Sequence, residues 1–253
     1  MEKLKIYLDS KANQFNKTDF ISNDPIQIPH GFSKMQDVEI SAFFASILAW
    51  GLRKTIINKC KELMNLMENS PHDFIVNHQI QDLKRFLNFK HRTFNADDLL
   101  YFIYFLKFHY SKNYSLENAF SQFLSPEDQT VEKALIGFEK TFFAHEHLIR
   151  TKKHIATPSK QSACKRINMF LRWMVRSDDQ NVDFGIWKAI SPAQLLCPLD
   201  VHVDRIARNL GLLTRPQSDW KAVLELTENL RKMKPEDPVF YDFALFGIGI
   251  ENK

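Results

Sequence analysis

The segment Val38 to Gly51 constrains the fold more than any other part of the sequence. It reads VEISAFFASILAWG, and its apolar residues leave almost no polar face. A helix that is apolar on nearly every side has to be surrounded by other elements, so we expect this one at the centre of a core. Gly51 is expected to close it, and a second helix follows to about Met67.

Helical periodicity continues through most of the chain, and strand-like alternation is rare. The 253 residues can form one large domain or two lobes, and hydrophobic and charged contents of 44% and 25% are typical of a globular protein. The sequence therefore predicts an all-α fold. Further helices are expected at about 81–90, 97–110, 115–124, 130–150, 162–176, 200–210 and 219–232.

Several features of the sequence argue against export, membrane insertion and metal binding. Residues 1–15 lack the apolar core of a secretory signal. The most apolar stretch, Leu99 to Leu106, is far shorter than the roughly 20 residues that span a membrane. Cys60, Cys164 and Cys197 are too widely spaced for a disulfide framework, a zinc site or an iron–sulfur motif. We therefore expect a cytoplasmic protein with reduced thiols, no metal and no cofactor.

Positive charge is concentrated between His147 and Ser177. This window contains no Asp or Glu, and such a local field attracts phosphate backbones. The alternative is a solvated helix face that is balanced by acids elsewhere in the fold. The basic residues of the window are Arg150, Lys152, Lys153, Lys160, Lys165, Arg166, Arg172 and Arg176, of which Lys165, Arg172 and Arg176 share one helix face opposite the apolar one.

Asp200 precedes an amphipathic helix whose core stripe includes Val203, Ile206 and Ala207. Aspartate is among the best N-cap residues, because its carboxylate accepts hydrogen bonds from the unpaired amides of the first turn. The position therefore predicts a helix cap. A catalytic carboxylate held in place by the same cap is the second interpretation.

The segment PLDVHVDRIARNLGLL resembles one found in the helix-hairpin-helix DNA glycosylase superfamily, which includes endonuclease III and the oxidised-guanine glycosylases. Asp200 falls on the catalytic aspartate of that family, and His202 continues the match. Weaker similarities cover EISAFFASILAWGLRKTIINKCKELM, with Arg53 and Lys54 near a base-flipping turn, and DPVFYDFALFGIGI, which is similar to the closing helix. The chain also resembles an uncharacterised bacterial family with Pro-Ser-Lys…Cys-Lys-Arg and Leu-Asp-x-His-Val motifs.

The resemblance implies two helical lobes around a central cleft. Approximately residues 36–150 would form one lobe and 1–35 plus 200–253 the other, with 151–199 as a hairpin-equivalent and connecting region. The family hairpin carries glycines that let backbone amides approach a phosphate, whereas Thr157 to Ala163 contains none. Ser and Lys side chains and a helix N-terminus would make that contact here. The four-cysteine iron–sulfur loop of endonuclease III is absent from this sequence.

In members of the superfamily that also cut the DNA strand, a lysine amine attacks the sugar and forms a Schiff base. Lys165 follows the hairpin-equivalent turn, and the archaeal oxidised-guanine glycosylases have a similarly long insertion between lysine and aspartate. Lys165 is therefore the expected nucleophile, with Lys160 as the substitute, while nothing hairpin-like precedes Lys188. A phosphate-contacting or solvated Lys165 is the alternative.

The resemblance thus implies a DNA base-excision glycosylase or glycosylase/lyase that acts on a flipped damaged base in duplex DNA. Asp200 and Lys165 would be catalytic, and a monomer without membrane association or an iron–sulfur cluster is expected. A non-catalytic helical nucleic-acid-binding protein of the same fold is the alternative. The residues expected to contact nucleic acid are Arg53, Lys54, Lys160, Arg166, Arg172, Arg176 and His202.

Overall fold

A computed structural model describes residues 2–251, and these form an all-α protein, as predicted. The helices are α1 Glu2–Phe15, α2 Thr18–Ile21, α3 Met35–Leu48, α4 Arg53–Leu66, α5 Pro71–Asn77, α6 Ala96–Tyr110, α7 Asn118–Ser121, α8 Glu132–Phe142, α9 Lys165–Val175, α10 Val201–Asn209, α11 Trp220–Arg231 and α12 Asp242–Glu251. Short 3₁₀ helices lie at Pro25–Gln27, Pro29–Gly31, Ile80–Phe86, Ile149–His154, Pro158–Lys160, Pro192–Gln194 and Pro238–Tyr241. Two short antiparallel strands, β1 Lys90–His91 and β2 Phe94–Asn95, form a hairpin.

Three of the expected helices differ from the structure. The α-helix expected at 81–90 is a 3₁₀ helix that leads into the β1–β2 hairpin, whose turn holds Arg92 in the left-handed region with φ 55°. The helix expected at 115–124 is reduced to the single turn of α7, and the one expected at 130–150 ends at Phe142. In all three places the apolar spacing continues past the point where the backbone turns, so periodicity alone overestimates the helix.

The chain divides into two compact units. Unit 1 consists of the residues up to Ser22, Phe123–Ile136 and the residues from Ala156 onward, and unit 2 consists of Asn23–Gln122 and Gly137–Ile155. Each unit therefore contains stretches that are distant from one another in sequence. Within residues 2–251 no helix is both long enough and apolar enough to cross a bilayer.

The core of unit 2 is built around α3, which confirms the prediction for Val38 to Gly51. The ring of Phe43 stacks on Phe102 at 5.7 Å and meets Phe138 edge-on at 6.0 Å. The one acid on this helix inside the core, Glu39, accepts hydrogen bonds from the Tyr110 hydroxyl at 2.9 Å and the Leu116 amide at 3.1 Å. A buried carboxylate is tolerated only with such partners.

In unit 1, α12 packs against both α1 and α10. Gly247 touches α1 so closely that a Cβ there would lie 2.1 Å from the ring of Phe15. Gly249 faces α10 in the same way, since a Cβ added there would lie 2.8 Å from the Cβ of His202. Glycine allows these helices to approach, because any side chain at either position would force them apart. The beginning of α10, which carries Asp200, is thus held against α12.

Candidate functional site

Asp200 caps α10 as the sequence predicts. Its Oδ1 accepts hydrogen bonds from the backbone amides of His202 at 2.8 Å and Val203 at 2.9 Å. The carboxylate is thereby fixed by one oxygen, and the other oxygen, Oδ2, points toward Lys165. The side chain is 17% exposed, so the group is sheltered without being sealed from solvent.

Lys165 is the first residue of α9, and its amine lies beside this carboxylate. The distance from Nζ to Asp200 Oδ2 is 3.9 Å, and the lysine side chain is 30% exposed. This is an ion-pair distance rather than a hydrogen bond, so the amine is near the carboxylate without being locked to it. The structure therefore brings together the two residues for which catalytic roles were expected.

The turn before α9 achieves its shape without glycine. Gln161 and Cys164 both lie in the left-handed region, with φ 55° and 50°. Such backbone costs about 1 kcal/mol for a non-glycine residue, so neighbouring contacts have to hold it. Gln161 accepts a hydrogen bond from the Trp220 amide at 3.1 Å, and Ser162 forms a β-bridge with Asp219. The N-terminus of α11 thus anchors the turn that delivers Lys165.

Five of the residues expected to bind nucleic acid lie in the same unit as this pair, and Lys160, Arg166 and His202 are three of them. Lys160 is exposed at the end of the 3₁₀ helix of the turn. Arg166 is half-buried, and its burial lowers the pKa of the guanidinium. The imidazole Nδ1 of His202 lies 3.1 Å from the Gly249 carbonyl oxygen, which ties this ring to α12. Of the three, Lys160 has the side chain most open to solvent.

Arg53 and Lys54 belong to unit 2, where they begin α4 and are exposed. Leu52, immediately before them, is 78% exposed. The role of Arg53 and Lys54 in nucleic-acid contact stays a prediction.

Arg172 is buried, which contradicts its expected role as an exposed phosphate contact. It is 4% exposed, and its Nε donates to Asp183 Oδ1 at 3.2 Å. Its Nη1 forms a short hydrogen bond with Asp242 Oδ2. A guanidinium enclosed by two carboxylates has no accessible donor to offer to DNA, so this prediction is wrong.

Arg176 is buried in the same manner, with 2% of its surface exposed. Its guanidinium pairs with Asp178 at 2.6 Å, Asp183 at 3.1 Å and Asp237 at 2.9 Å. The prediction of an exposed phosphate contact is wrong here as well. Arg172 and Arg176 do lie on one face, but carboxylates from other parts of unit 1 cover both guanidinium groups. Burial of these charges requires such partners.

Some of the remaining basic residues between His147 and Ser177 are also bound to other protein groups. In unit 2, Arg150 donates to Asp98 Oδ2 at 2.9 Å and to the Thr93 carbonyl oxygen at 2.9 Å. His154 is buried, and its Nε2 lies 3.1 Å from the same Asp98 oxygen. The window is free of acids in sequence but not in space, so its positive field is weaker than the sequence indicates.

Asp242 is a member of this charged region that sequence reasoning missed. It begins α12 and is 5% exposed, with Arg172 on one oxygen and the Cys197 thiol 4.0 Å from the other. Burial raises the pKa of its carboxyl to about 6, and the charge of Asp200 adds to the rise. The positive charges of Arg172 and Lys165 oppose it. The available signal was a lone acid in front of the wholly apolar run FALFGIGI.

The carboxylates of the site pair with basic side chains and do not form a metal centre. Among residues 2–251 no group of three or more His, Cys, Asp or Glu side chains has an arrangement that could hold a metal ion. The arrangement at Lys165 and Asp200 instead offers a primary amine and a fixed carboxylate to the same small space. Such a pair is suited to nucleophilic attack with electrostatic stabilisation.

A family model described as Protein of unknown function (DUF2400) matches residues 24–251 of the chain. No curated protein matches the chain. No solved structure matches it either.

Proposed function

We propose that the chain, which belongs to the DUF2400 family, is a DNA base-excision glycosylase or glycosylase/lyase that acts on a flipped damaged base. Lys165 is the nucleophile and Asp200 is the stabilising carboxylate. The proposal joins the resemblance around Asp200 to the geometry of the two side chains.

The observation that carries the proposal is the approach of the Lys165 amine to the Asp200 carboxylate. Nζ lies 3.9 Å from Oδ2, while Oδ1 is held by two backbone amides. The two side chains are 30% and 17% exposed, so a substrate can reach both. The buried ion pairs of Arg172 differ from this pair, since carboxylates enclose the guanidinium.

The proposed chemistry follows from these two groups. The neutral Lys165 amine attacks the anomeric carbon of the flipped nucleotide, the bond from that carbon to the base nitrogen breaks, and the base leaves with the bonding electrons. Asp200 stabilises the positive charge that develops on the sugar. The bond from the anomeric carbon to the ring oxygen then breaks, the ring oxygen takes a proton from the attached nitrogen, and a protonated Schiff base forms on Lys165. Loss of a proton from the 2′ carbon to water, and of the 3′ phosphate with the electrons of its C–O bond, then cuts the strand.

The surroundings of the pair also fit a nucleotide. Val201, directly after Asp200, is 79% exposed and offers an apolar surface beside the carboxylate. Cys164, the N-cap residue of α9, makes no capping hydrogen bond with its side chain, and the positive end of the helix dipole lies beside Lys165, where it would attract a phosphate. Apolar contact for a base or sugar, next to an anion-attracting helix end, is the environment that the proposed reaction needs.

Borohydride trapping tests this proposal directly. The protein is incubated with duplexes that contain oxidised guanine, an oxidised pyrimidine or an abasic site, and borohydride reduces any Schiff base to a stable covalent adduct. We expect an adduct whose peptide maps to Lys165 and which is lost in Lys165→Gln. Lys160→Gln is the matched control, because it removes a neighbouring exposed amine from the same turn and should still give the adduct.

The outcomes separate the two hypotheses for this site. An adduct that persists in Lys165→Gln and disappears in Lys160→Gln would move the nucleophile to Lys160. Salt-sensitive binding to duplex DNA without any adduct or base release would favour the non-catalytic nucleic-acid-binding alternative. Absence of both binding and trapping at low salt would refute the proposal.

A further inference from the structure

The geometry points to a binding site for a small organic cation with a primary ammonium group, in a cavity of unit 1 that is separate from the Lys165–Asp200 pair. The cavity measures about 520 Å³, which is within the usual range for a small-molecule site. Its lining residues all belong to unit 1, and neither member of the pair is among them. Arg176, which lines it, is the C-cap residue of α9 and lies roughly 16 Å along the helix axis from Lys165.

The cavity has a buried inner wall and an exposed mouth. Asn16 and Arg176 line it and are each only 2% exposed. Asp179, Gln180 and Glu236 also line it, and their side chains are exposed. A ligand can therefore enter from solvent and reach polar groups that are otherwise buried.

Two buried oxygens on the lining residues accept no hydrogen bond from any residue between 2 and 251. Asn16 donates from Nδ2 to Asp178 Oδ2 at 2.5 Å, but its own Oδ1 has no donor. Asp237 accepts from Arg176 Nε at 2.9 Å through Oδ2, and its Oδ1 has no donor either. Buried acceptors in folded proteins nearly always have a partner. Two such oxygens beside one cavity indicate a ligand that donates hydrogen bonds.

The basic side chains of the cavity do not fill this role, because they are already paired. Arg176 forms ion pairs with three carboxylates. Lys234 forms one with Glu236, at 3.1 Å between Nζ and Oε1. The missing donors therefore have to come from outside the chain.

The charge of the cavity favours a positively charged ligand. Two basic side chains, Arg176 and Lys234, face four carboxylates, so the formal charge of the lining is two units negative; the carboxylates are those of Asp178, Asp179, Glu236 and Asp237. Asp179 forms no ion pair with any residue between 2 and 251. Excess negative charge in a cleft raises the local concentration of cations.

An organic ammonium ion suits the cavity better than a metal ion. Within residues 2–251 no three or more His, Cys, Asp or Glu side chains are arranged to hold a metal. An ammonium group needs no such coordination sphere, because it binds through three N–H donors and its charge. Phe240 and Pro192 add apolar lining for the carbon chain of such a ligand.

Calorimetric titration with putrescine, a diamine that is doubly charged at neutral pH, tests the inference. We expect saturable binding of one putrescine per chain at low salt. The permethylated bis-quaternary analogue carries the same two charges on the same chain but has no N–H donor. It should bind at least about tenfold more weakly, because it cannot make the hydrogen bonds between charged donors and the protein acceptors.

Three variants locate the site. Asp179→Asn removes an exposed carboxylate that has no ion-pair partner, and it should weaken putrescine binding by about fivefold, the upper end of what an exposed ion pair contributes. Asp19→Asn is the matched control, because it removes an exposed carboxylate of the same unit that does not line the cavity. Asn16→Leu removes the buried acceptor and should weaken binding by more than about tenfold, with folding checked by circular dichroism.

The outcomes decide the inference even if Asn16→Leu fails to fold. Absence of saturable binding would mean that water satisfies the two oxygens, and it would overturn the inference. Equal affinity for the quaternary analogue, or equal weakening in Asp19→Asn and Asp179→Asn, would overturn it as well. Lys165→Gln should bind putrescine as the wild type does, so this result and the trapping of DNA can fail independently. Loss of binding in Lys165→Gln would assign the ligand to the pair and refute a separate site.

Discussion

Replacing Asp200 by Asn and by Ala separates its role as a helix cap from its role as a charge. Asn can accept the same two amide hydrogen bonds, so the variant loses only the attraction of the carboxylate to the helix dipole and to Lys165. At a partly exposed site these terms together amount to about 1 kcal/mol. Ala removes the cap as well, which costs about 1 kcal/mol more.

These losses in the free energy of unfolding can be measured as lower melting temperatures. For a protein of this size, a loss of 1 kcal/mol lowers the melting temperature by about 2–4 °C, so Asp200→Asn should melt slightly early and Asp200→Ala about twice as far below the wild type. Circular dichroism at 222 nm gives both values. Equal melting temperatures for the Asn and Ala variants would refute the cap energetics.

Activity should fall equally in the two variants. Both variants lack the charge that stabilises the developing sugar cation, so base release should fall by at least about 10²-fold in each, as expected when one electrostatic stabiliser is removed. Single-turnover base release from the duplex that the wild type processes is the assay. If Asp200→Asn retains the wild-type rate, Asp200 is a cap and nothing more.

Three further predictions concern the packing and charges around the site. Arg176→Gln should destabilise the protein by about 3–5 kcal/mol in urea denaturation, because it leaves buried carboxylates without their cation, and a loss below about 1 kcal/mol would contradict this. Folding raises the pKa of Asp242 from 3.8 to about 6, so between these pH values the native state binds a proton that the unfolded state has released. The stability of the wild type relative to Asp242→Asn should therefore fall as the pH rises from about 4 to about 6. A difference between the two urea midpoints that stays constant over this range would contradict the shift. Gly247→Ala should lower the melting temperature, since its Cβ would lie 2.1 Å from Phe15. Gly211→Gln is at an uncrowded position and should lower it only through the strain of φ 70°. A larger loss of melting temperature in Gly211→Gln than in Gly247→Ala would disprove the packing argument.

The features that local sequence determines were predictable. The near-absence of polar residues in Val38 to Gly51 placed α3 in a core, because no exposed surface could accommodate that helix. Asp200 in front of an amphipathic stretch predicted its own cap, since the amides it binds are only two and three residues away. Its proximity to Lys165 came from the resemblance and not from the residues alone.

The environment of Arg172 and Arg176 could not be predicted in the same way. Helical periodicity shows which residues share a face, but not what another part of the chain places against that face. The covering carboxylates include Asp237 and Asp242, which lie far along the sequence from the two arginines. A charge pattern within one window therefore cannot distinguish a solvated stripe from a buried one.

The way unit 1 is assembled from distant stretches has a consequence for its synthesis on the ribosome. Leu8 and Ala12 on α1 are fully buried, yet α12, against which α1 packs, is translated only after all of unit 2. Closing so long a loop is slow, and apolar surface exposed during that wait invites aggregation. Nascent chains in which α12 has not yet been translated should therefore bind chaperones through α1. Unit 2 ends at Ile155, so all of its segments have been synthesised by then.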